Sequence, residues 1–420
     1  MAGDAWARLL GGWEGFELVD IEEHPIGPTQ PVAELVLRLR AMPGHPKRCS
    51  RCGAIVGDIH DVTERRIRDL SVFDWDTWVV FPRARLHCPR CGPTVEAVPW
   101  LDRYQRMTTR LAEKIARLAT VLPIDHVAAW FHVHWDTVKQ IDRRSLYARV
   151  GPITSESLTD VRLLVIDEFA IQKGHRYATV IVDAETKRVL WVHRGRDRGA
   201  IRPFFELLGP VGCARIDAVA VDMSGSYGDE VRAQCPQAQL VYDLFHVVAK
   251  YGREVIDRVR VDETNRIAQA AGPNRPVIRA ARRVIKGTRW LLLKNRANVS
   301  RADRVRLDEL LEANRALFTV YVLKDDLKHL WSYRYPKAAR RFWDEWYGRA
   351  VASRIPALVR FATRLCPYVP GIISHCRYPL HTGLVEGINN KIKVLKRMAY
   401  GYRDDAYFFL TIRAAFPGIP

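Results

Sequence analysis

Three carboxylates stand where a folded chain could gather them around a cation: Asp167 in LLVIDEFA, Asp222 in AVAVDMSG and Glu386 in GLVEGINNKIKVLKR. Asp167 follows the apolar run Leu163, Leu164, Val165, Ile166, and Asp222 follows Ala218, Val219, Ala220, Val221; both runs have the character of buried strands. Each aspartate is therefore expected at a strand's end, where neighbouring side chains can meet about an ion. Glu386 is expected on a helix, because Val385, Ile388, Ile392, Leu395 and Ala399 recur at three- and four-residue steps. The polar face of that helix reads Glu386, Asn390, Lys393, Arg397, a set suited to a divalent metal beside a phosphate backbone. A lone acid in any of these places is more commonly a turn or cap residue. The three together point to metal-assisted chemistry on a phosphodiester.

Cys49 and Cys52 in RCSRCG, with Cys88 and Cys91 in HCPRCG, form two C-x-x-C knuckles. Gly53 and Gly92 free the backbone just after each second sulfur, and four thiolates make a closed tetrahedral zinc site with no open position for catalysis. A redox pair would require only one knuckle. The 35 residues between Cys52 and Cys88 leave room for a β-hairpin or small meander built from segments such as DTWVVFPRARLHC. His45 and His87 flank the knuckles as bystanders, and Cys213, Cys235, Cys366 and Cys376 are scattered and read as packing residues.

The rest of the chain must position these groups. At 420 residues and 48% hydrophobic it can bury the cores of roughly two to four domains. Its formal charge of +19 favours a polyanionic partner. No run approaches the ~18 apolar residues of a membrane span, and no basic segment followed by an apolar one opens the chain. A cytoplasmic, nucleoid-associated protein with reduced cysteines is expected. Residues 1–44 read as an N-terminal arm and 45–100 as the zinc module. Residues 101–155 read as helices broken at Pro123 and at a turn from His132 to His134, the last helix carrying Lys139, Arg143, Arg144 and Arg149; this fits a helix-turn-helix whose second helix enters the major groove.

From residue 156 an α/β core is expected, with strands at 161–166, 177–183 and 188–193, a helix at 199–208, strands at 216–221 and 240–242, and a helix capped by Asp243. Three hairpin-connected strands, a helix and a fourth strand place Asp167 on the first and Asp222 on the fourth; if those two strands are neighbours the carboxylates face each other, the arrangement of the ribonuclease-H-like fold. Residues 251–370 interrupt this core with charged helical sequence, and 371–420 return to it with Glu386. Between Arg279 and Arg306 ten Lys/Arg stand against Asp303, a net of +9 that includes Arg282, Arg283 and Lys286 and suits a polyanion better than a solvated face.

The paired knuckles, the helix-turn-helix and the terminal stretch LVEGINNKIKVLKRMAYGYRD together resemble the zinc-finger-containing transposases of the ISL-three group of insertion sequences, within the DDE transposase superfamily. The resemblance covers nearly the whole chain and implies that Asp167, Asp222 and Glu386 are its acid triad. It implies two Mg²⁺ or Mn²⁺ ions at that triad and double-stranded DNA as partner, both element ends and target. A homo-oligomer, a dimer on DNA, is expected. The superfamily's C/D-x-x-H element looks like Asp243-Leu244-Phe245-His246, which makes His246 a further catalytic candidate. Trp290 in TRWLLLKN resembles a tryptophan that some relatives stack on a flipped base, although a Trp before three leucines reads as core.

In this reading Asp167 bridges both ions and Asp222 and Glu386 each complete one; water attacks when ends are nicked and the freed 3′-hydroxyl attacks when they join a target. Glu168 and Asp183 are the alternatives nearest the first acid, and strand alternation is expected to turn Glu168 to the other face. A zinc-dependent DNA-binding regulator with an inactive core, or a nuclease that does not join strands, are the competing readings.

Overall fold

The computed structural model describes residues 12–28, 32–103, 105–172, 174, 176–223, 225–270, 276, 289–294, 298–380 and 383–419. They divide into two compact units, one running to Arg149 and taking in Lys396–Tyr402, the other made of Val150–Leu395 and the residues from Arg403 onward.

In the first unit, strands β1 (Phe16–His24), β2 (Glu34–Ala41), β3 (Ile59–Arg68), β4 (Asp76–Cys88) and β5 (Gly92–Val95) form one sheet in the order β1-β2-β4-β3, with β5 on β4. The segment read as an N-terminal arm thus supplies two strands. Its contribution is anchored by rings: Phe16, Phe81 and Trp100 meet edge to face with centroids 4.8–5.5 Å apart, contacts worth about 0.5–1.5 kcal/mol each beyond burial. β3 and β4 are the hairpin expected between the knuckles, and β4 is the segment DTWVVFPRARLHC itself.

Helices α1 (Thr109–Ala119), α2 (Ile124–Trp130) and α3 (Trp135–Val150) follow, packing Leu111, Ile115, Val127, Phe131, Val138 and Ile141 into one small core. Thr108 caps α1, and its hydroxyl also donates to the buried carboxylate of Asp69 at 2.6 Å. Asp69 further accepts from the Trp13 indole at 3.0 Å and from the Arg110 guanidinium, so sheet and helices share one charged joint. The turn before α3 is fixed similarly: His132 takes a left-handed φ of 50° and its Nδ1 lies 3.1 Å from Asp76, which also pairs with Arg68 at 2.6 Å.

The second unit centres on a sheet of β6 (Leu163–Gln172), β7 (Arg176–Asp183), β8 (Val189–Arg194), β9 (Ala218–Val221) and β10 (Gln239–Tyr242), ordered β10-β9-β6-β7-β8. β6 pairs antiparallel with β7 and parallel with β9, β7 pairs antiparallel with β8, and β9 pairs parallel with β10. Between β8 and β10 run α4 (Arg198–Ala214), broken at Gly209, and α5 (Gly225–Gln234). Then come α6 (Leu244–Tyr251), a π-helical turn at Gly252–Ile256, α7 (Asp257–Ala270), α8 (Arg289–Leu293), α9 (Arg301–Ala313), α10 (Arg315–His329), α11 (Pro336–Ala352), α12 (Pro356–Leu365) and α13 (Val369–Ile373). These helices do not form a core of their own: Tyr251, Val255, Leu292, Leu323 and Phe361 are buried in one cluster with Leu164, Ile166, Ile181 and Val219 of the sheet. The chain closes with α14 (Gly383–Met398) and α15 (Asp405–Ala415), the latter setting Phe408 edge-on to Phe169 of β6 at 6.2 Å.

Candidate active site and metal centre

Asp167 does not end its strand, as the sequence suggests, but lies in the middle of β6. The reason is its partner: β7 keeps pairing with β6 as far as Gln172↔Arg176, holding the strand extended beyond the apolar run. On the other side the parallel pairing with β9 stops at Val165↔Ala220. The register is constant, so Asp167 and Asp222 fall opposite one another two residues past the last paired row, where the strands part. Two half-buried carboxylates therefore share one opening in the sheet.

Alternation sends Asp167 to the face of Val165 and Phe169, and Glu168 to the face of Leu164 and Ile166. On its own face Asp167 accepts a hydrogen bond from the side-chain amide of Asn389 on α14, Nδ2 to Oδ2, at 2.8 Å. Burial pushes the Asp167 carboxyl up, and the charge of Asp222 adds to the rise; the Glu168 N–H, the charge of His246 and the Asn389 bond oppose it without cancelling it. His246, in the first turn of α6 behind the Asp243 cap, is near enough for its charge to act on Asp167.

Glu168 is not the bystander that alternation alone implies. Burial raises its pKa, and the charges of Asp222 and Asp167 raise it further, against Arg196 and His246. Arg196 reaches to 3.9 Å of its carboxylate while lying 4.5 Å from the centre of the Tyr177 ring. Tyr227 sits beneath, fully buried, its hydroxyl 2.7 Å from Thr179 Oγ1. Asp183, the other alternative, is committed to a turn, where it accepts from the Glu185 N–H at 3.1 Å and from the Thr186 hydroxyl.

Glu386 lies in the first turn of α14, exposed, while Val385, Ile388 and Ile392 bury the opposite face. It precedes Asn389 by three positions, a step that leaves side chains about 5–6 Å apart at Cβ on a helix. The hydrogen bond from Asn389 therefore brings the N-terminal half of α14, which carries Glu386, to Asp167 of β6. The three carboxylates are not drawn into contact: among the described residues, the four cysteines are the group of three or more His, Cys, Asp or Glu whose ligand atoms lie within 4.8 Å of one another. The remaining polar positions of α14, Asn390, Lys393 and Arg397, are exposed, and Lys393 donates to Asn390 Oδ1 at 3.2 Å.

Oxygen donors dominate this opening. Asp167, Asp222 and the buried Oδ1 of Asn389, which has no hydrogen-bond partner among the described residues, make a hard donor set of the kind Mg²⁺ and Mn²⁺ prefer. The donor chemistry fits the divalent ions expected from the sequence.

Cys49, Cys52, Cys88 and Cys91 converge as the spacing predicts, with Cys52 Sγ 3.7 Å from Cys88 Sγ. Gly53 and Gly92 take left-handed φ values of 74° and 70°, each just past its knuckle. Burial alone would raise the Cys49 thiol, but the N–H groups of Arg51 and Cys52 and the neighbouring thiols bring it down to about 6. A thiol that ionises readily among three others suits a zinc ion.

Of the expected DNA contacts, Lys139 and Arg143 lie on α3, near the rings of Trp135 (5.9 Å) and Tyr147 (5.8 Å) respectively. Arg144 turns elsewhere and donates to Gln105 Oε1 at 3.1 Å. Arg282, Arg283 and Lys286 lie outside the described residues. Trp290 departs from the core reading: it is 68% exposed, while Leu291 and Leu292 beside it are buried and Arg289 pins α8 to Asp257 at 2.8 Å. Asn389, Arg196 and Tyr227 were missed from sequence. The doubled Asn389-Asn390 was the available signal for the first, and the period alone did not say which amide faces the sheet.

Comparison with known proteins agrees with this layout. A family model described as a transposase matches residues 164–412, one described as the helix-turn-helix domain of transposase family ISL3 matches 96–146, and one described as a zinc-finger of transposase IS204/IS1001/IS1096/IS1165 matches 45–91. The chain is 50% identical over 417 residues to the transposase for insertion sequence element IS1001 of Bordetella parapertussis, covering 97% of each chain. It is 30% identical over 428 residues to the transposase for insertion sequence element IS1557 of Mycobacterium tuberculosis, covering 96% of this chain and 94% of that one. Among the described residues no helix is long and apolar enough to cross a membrane.

Proposed function

The chain belongs to the ISL3 family of insertion-sequence transposases, and from that premise we propose that Asp167, Asp222 and Glu386 are its catalytic acids, in a ribonuclease-H-like core. The strand order β10-β9-β6-β7-β8, with the first three hairpin-connected strands antiparallel and the outer two parallel, supports that fold. The observation that carries the site is the shared register of Asp167 and Asp222 at the point where β6 and β9 separate. Two Mg²⁺ or Mn²⁺ ions bound there would activate the attacking oxygen and stabilise the leaving one. Asp167 would serve both ions, with Asp222 and Glu386 completing one each. His246, whose charge acts on Asp167 from α6, would donate to a scissile phosphate. One zinc held by Cys49, Cys52, Cys88 and Cys91 fixes the sheet end of the first unit.

DNA recognition divides between two sets of residues in this reading. The helix-turn-helix, through Lys139 and Arg143, reads the terminal repeats of the element. The basic stretch 279–306, with Lys393 and Arg397 on α14, grips phosphates without regard to sequence. A dimer assembled on the element ends, acting in the cytoplasm on the nucleoid, completes the proposal. Electrophoresis of labelled element ends incubated with full-length protein and Mg²⁺ or Mn²⁺ tests it: nicked ends and joined products are expected. Binding without cleavage would instead make the protein a regulator with a silent core.

A further inference from the structure

We propose that Asn389 is a positioning residue of the metal centre, holding the Asp167 carboxylate through its amide N–H and presenting its Oδ1 to a cation bound beside it. This inference rests on the reading of Asp167 as a metal ligand.

Two features of Asn389 carry it. Its Nδ2 donates to Asp167 Oδ2 at 2.8 Å, joining positions 222 residues apart. Its Oδ1 is buried and meets no donor among the described residues. A buried acceptor left unmatched is destabilising, and a cation or a cation-bound water would satisfy it. Rotating the amide does not resolve the mismatch, because the oxygen would then face the Asp167 carboxylate and repel it. The surroundings also select the partner: the side chains that converge here from β6 and the end of β9 are Asp167 and Asp222, both acceptors when ionised, so a hard cation is the complementary species. Asn390, one residue on, is exposed and occupied by Lys393, so the adjacent amide is not an alternative.

The arrangement has a consequence for assembly of the site. Glu386 stands three residues before Asn389 on α14, so a cation that binds Asp167 and Asn389 together fixes the helix that delivers the third acid. Asn389 thereby couples ion binding on the strand to the placement of Glu386 on the helix.

The test uses full-length, zinc-loaded protein, with MnCl₂ as the probe and calorimetric titration as the readout, on wild type, Asn389→Leu, Asn389→Asp and Asp167→Asn. Asn389→Leu keeps the shape and removes both polar atoms; its apparent Kd for Mn²⁺ should rise roughly 10–100-fold, as for loss of a residue that orients a metal ligand. Asn389→Asp keeps an oxygen in place and adds a charge, so it should bind Mn²⁺ at least as tightly as wild type while its metal-free form melts lower. Equal Mn²⁺ affinity in wild type and Asn389→Leu would overturn the inference. Should Asn389→Leu fold poorly, Asn389→Asp decides: Mn²⁺ must raise its melting temperature by more than it raises that of wild type, and an equal or smaller rise counts against the proposal. If Asp167→Asn binds Mn²⁺ like wild type, the fault lies with the metal reading of Asp167 itself, and the inference falls with it.

Discussion

Asn389 donates to Asp167 at 2.8 Å, and this one bond ties the helix bearing Glu386 to the strand bearing the first acid. Strand register supplies the rest of the geometry, because the constant pairing of β6 with β9 carries Asp222 opposite Asp167. Two kinds of precision therefore meet at the site. The aspartates are fixed by backbone pairing, and the glutamate by a side-chain bond and by the burial of Val385, Ile388 and Ile392 on the far side of α14.

Replacing a single acid should stop chemistry without stopping binding. Asp167→Asn, Asp222→Asn and Glu386→Gln each keep size while removing the charge that holds an ion. Cleavage of element ends and strand transfer should both vanish, end affinity should stay near wild type, and the double variants should be no worse than the singles, since the three act as a unit. Glu168→Gln should lower the rate rather than abolish it, because that carboxylate shares the field of Asp167 and Asp222 from the opposite face. Gel assays with Mg²⁺ and Mn²⁺ check the set, and wild-type cleavage by Glu386→Gln would remove Glu386 from the site.

Zinc removal should act locally. The knuckle cysteines pack with Val56, Ala84 and Leu86, whereas Trp13, Phe16, Phe81 and Trp100 form a separate cluster on the same sheet. Cys52→Ser or chelation is expected to release one zinc per chain, loosen the knuckle end and weaken binding to element ends, with the aromatic cluster retained. Metal analysis together with near-ultraviolet circular dichroism measures both halves. Loss of the aromatic signal in step with the zinc would show one cooperative core instead of two.

Much of this architecture was legible because it is local. The knuckles announce themselves by a three-residue spacing, and the apolar runs before Asp167 and Asp222 reveal two strands whose neighbours follow from short connections. What escaped depends on partners far away in the chain. β1 carries four acids in nine residues and is recruited by its pairing with β2, so FELVDIEEH read as an arm. The length of β6 is set by β7, which is why Asp167 is not at a strand's end. Consecutive helix positions differ by 100°, and only the docked face of α14 decides that Asn389, not Asn390, meets the sheet. Trp290 is exposed because a five-residue helix anchored by two leucines leaves its third large side chain no interior to enter.

Base reading and phosphate grip should separate in a salt titration. Arg143→Ala on α3 is expected to lower affinity for element ends by about 1–3 kcal/mol and to reduce preference over unrelated DNA. Arg144→Ala should do little, since that side chain is engaged with Gln105. Neutralising Arg282, Arg283 and Lys286 together should weaken binding to all DNA and flatten the slope of log affinity against log salt by about 0.9 per lost contact. Loss of end preference at unchanged slope in that triple variant would reverse the assignment.

Acid should release the joint between sheet and helices in the first unit, and Asp69 is the group that senses it. Its carboxylate is buried and accepts from Trp13, from the Leu70 N–H at 2.8 Å, from Thr108 and from Arg110. Burial alone would raise its pKa, but Arg110, Thr108 and the Leu70 N–H outweigh it and hold the carboxyl below its ordinary value. With the folded value below the unfolded one, the stabilisation is fully present above the unfolded carboxylate range and is lost as pH falls through the folded value. Melting of the first unit, followed by tryptophan fluorescence, should therefore drop on acidification through that window. Asp69→Asn removes the charge, should cost on the order of 3 kcal/mol by leaving the Arg110 pair broken, and should flatten that pH dependence. Because Thr108 also caps α1, the same variant should bind element ends more weakly with its zinc content unchanged. An Asp69→Asn protein that melts and binds ends like wild type across the window would show that the joint is held by apolar packing instead.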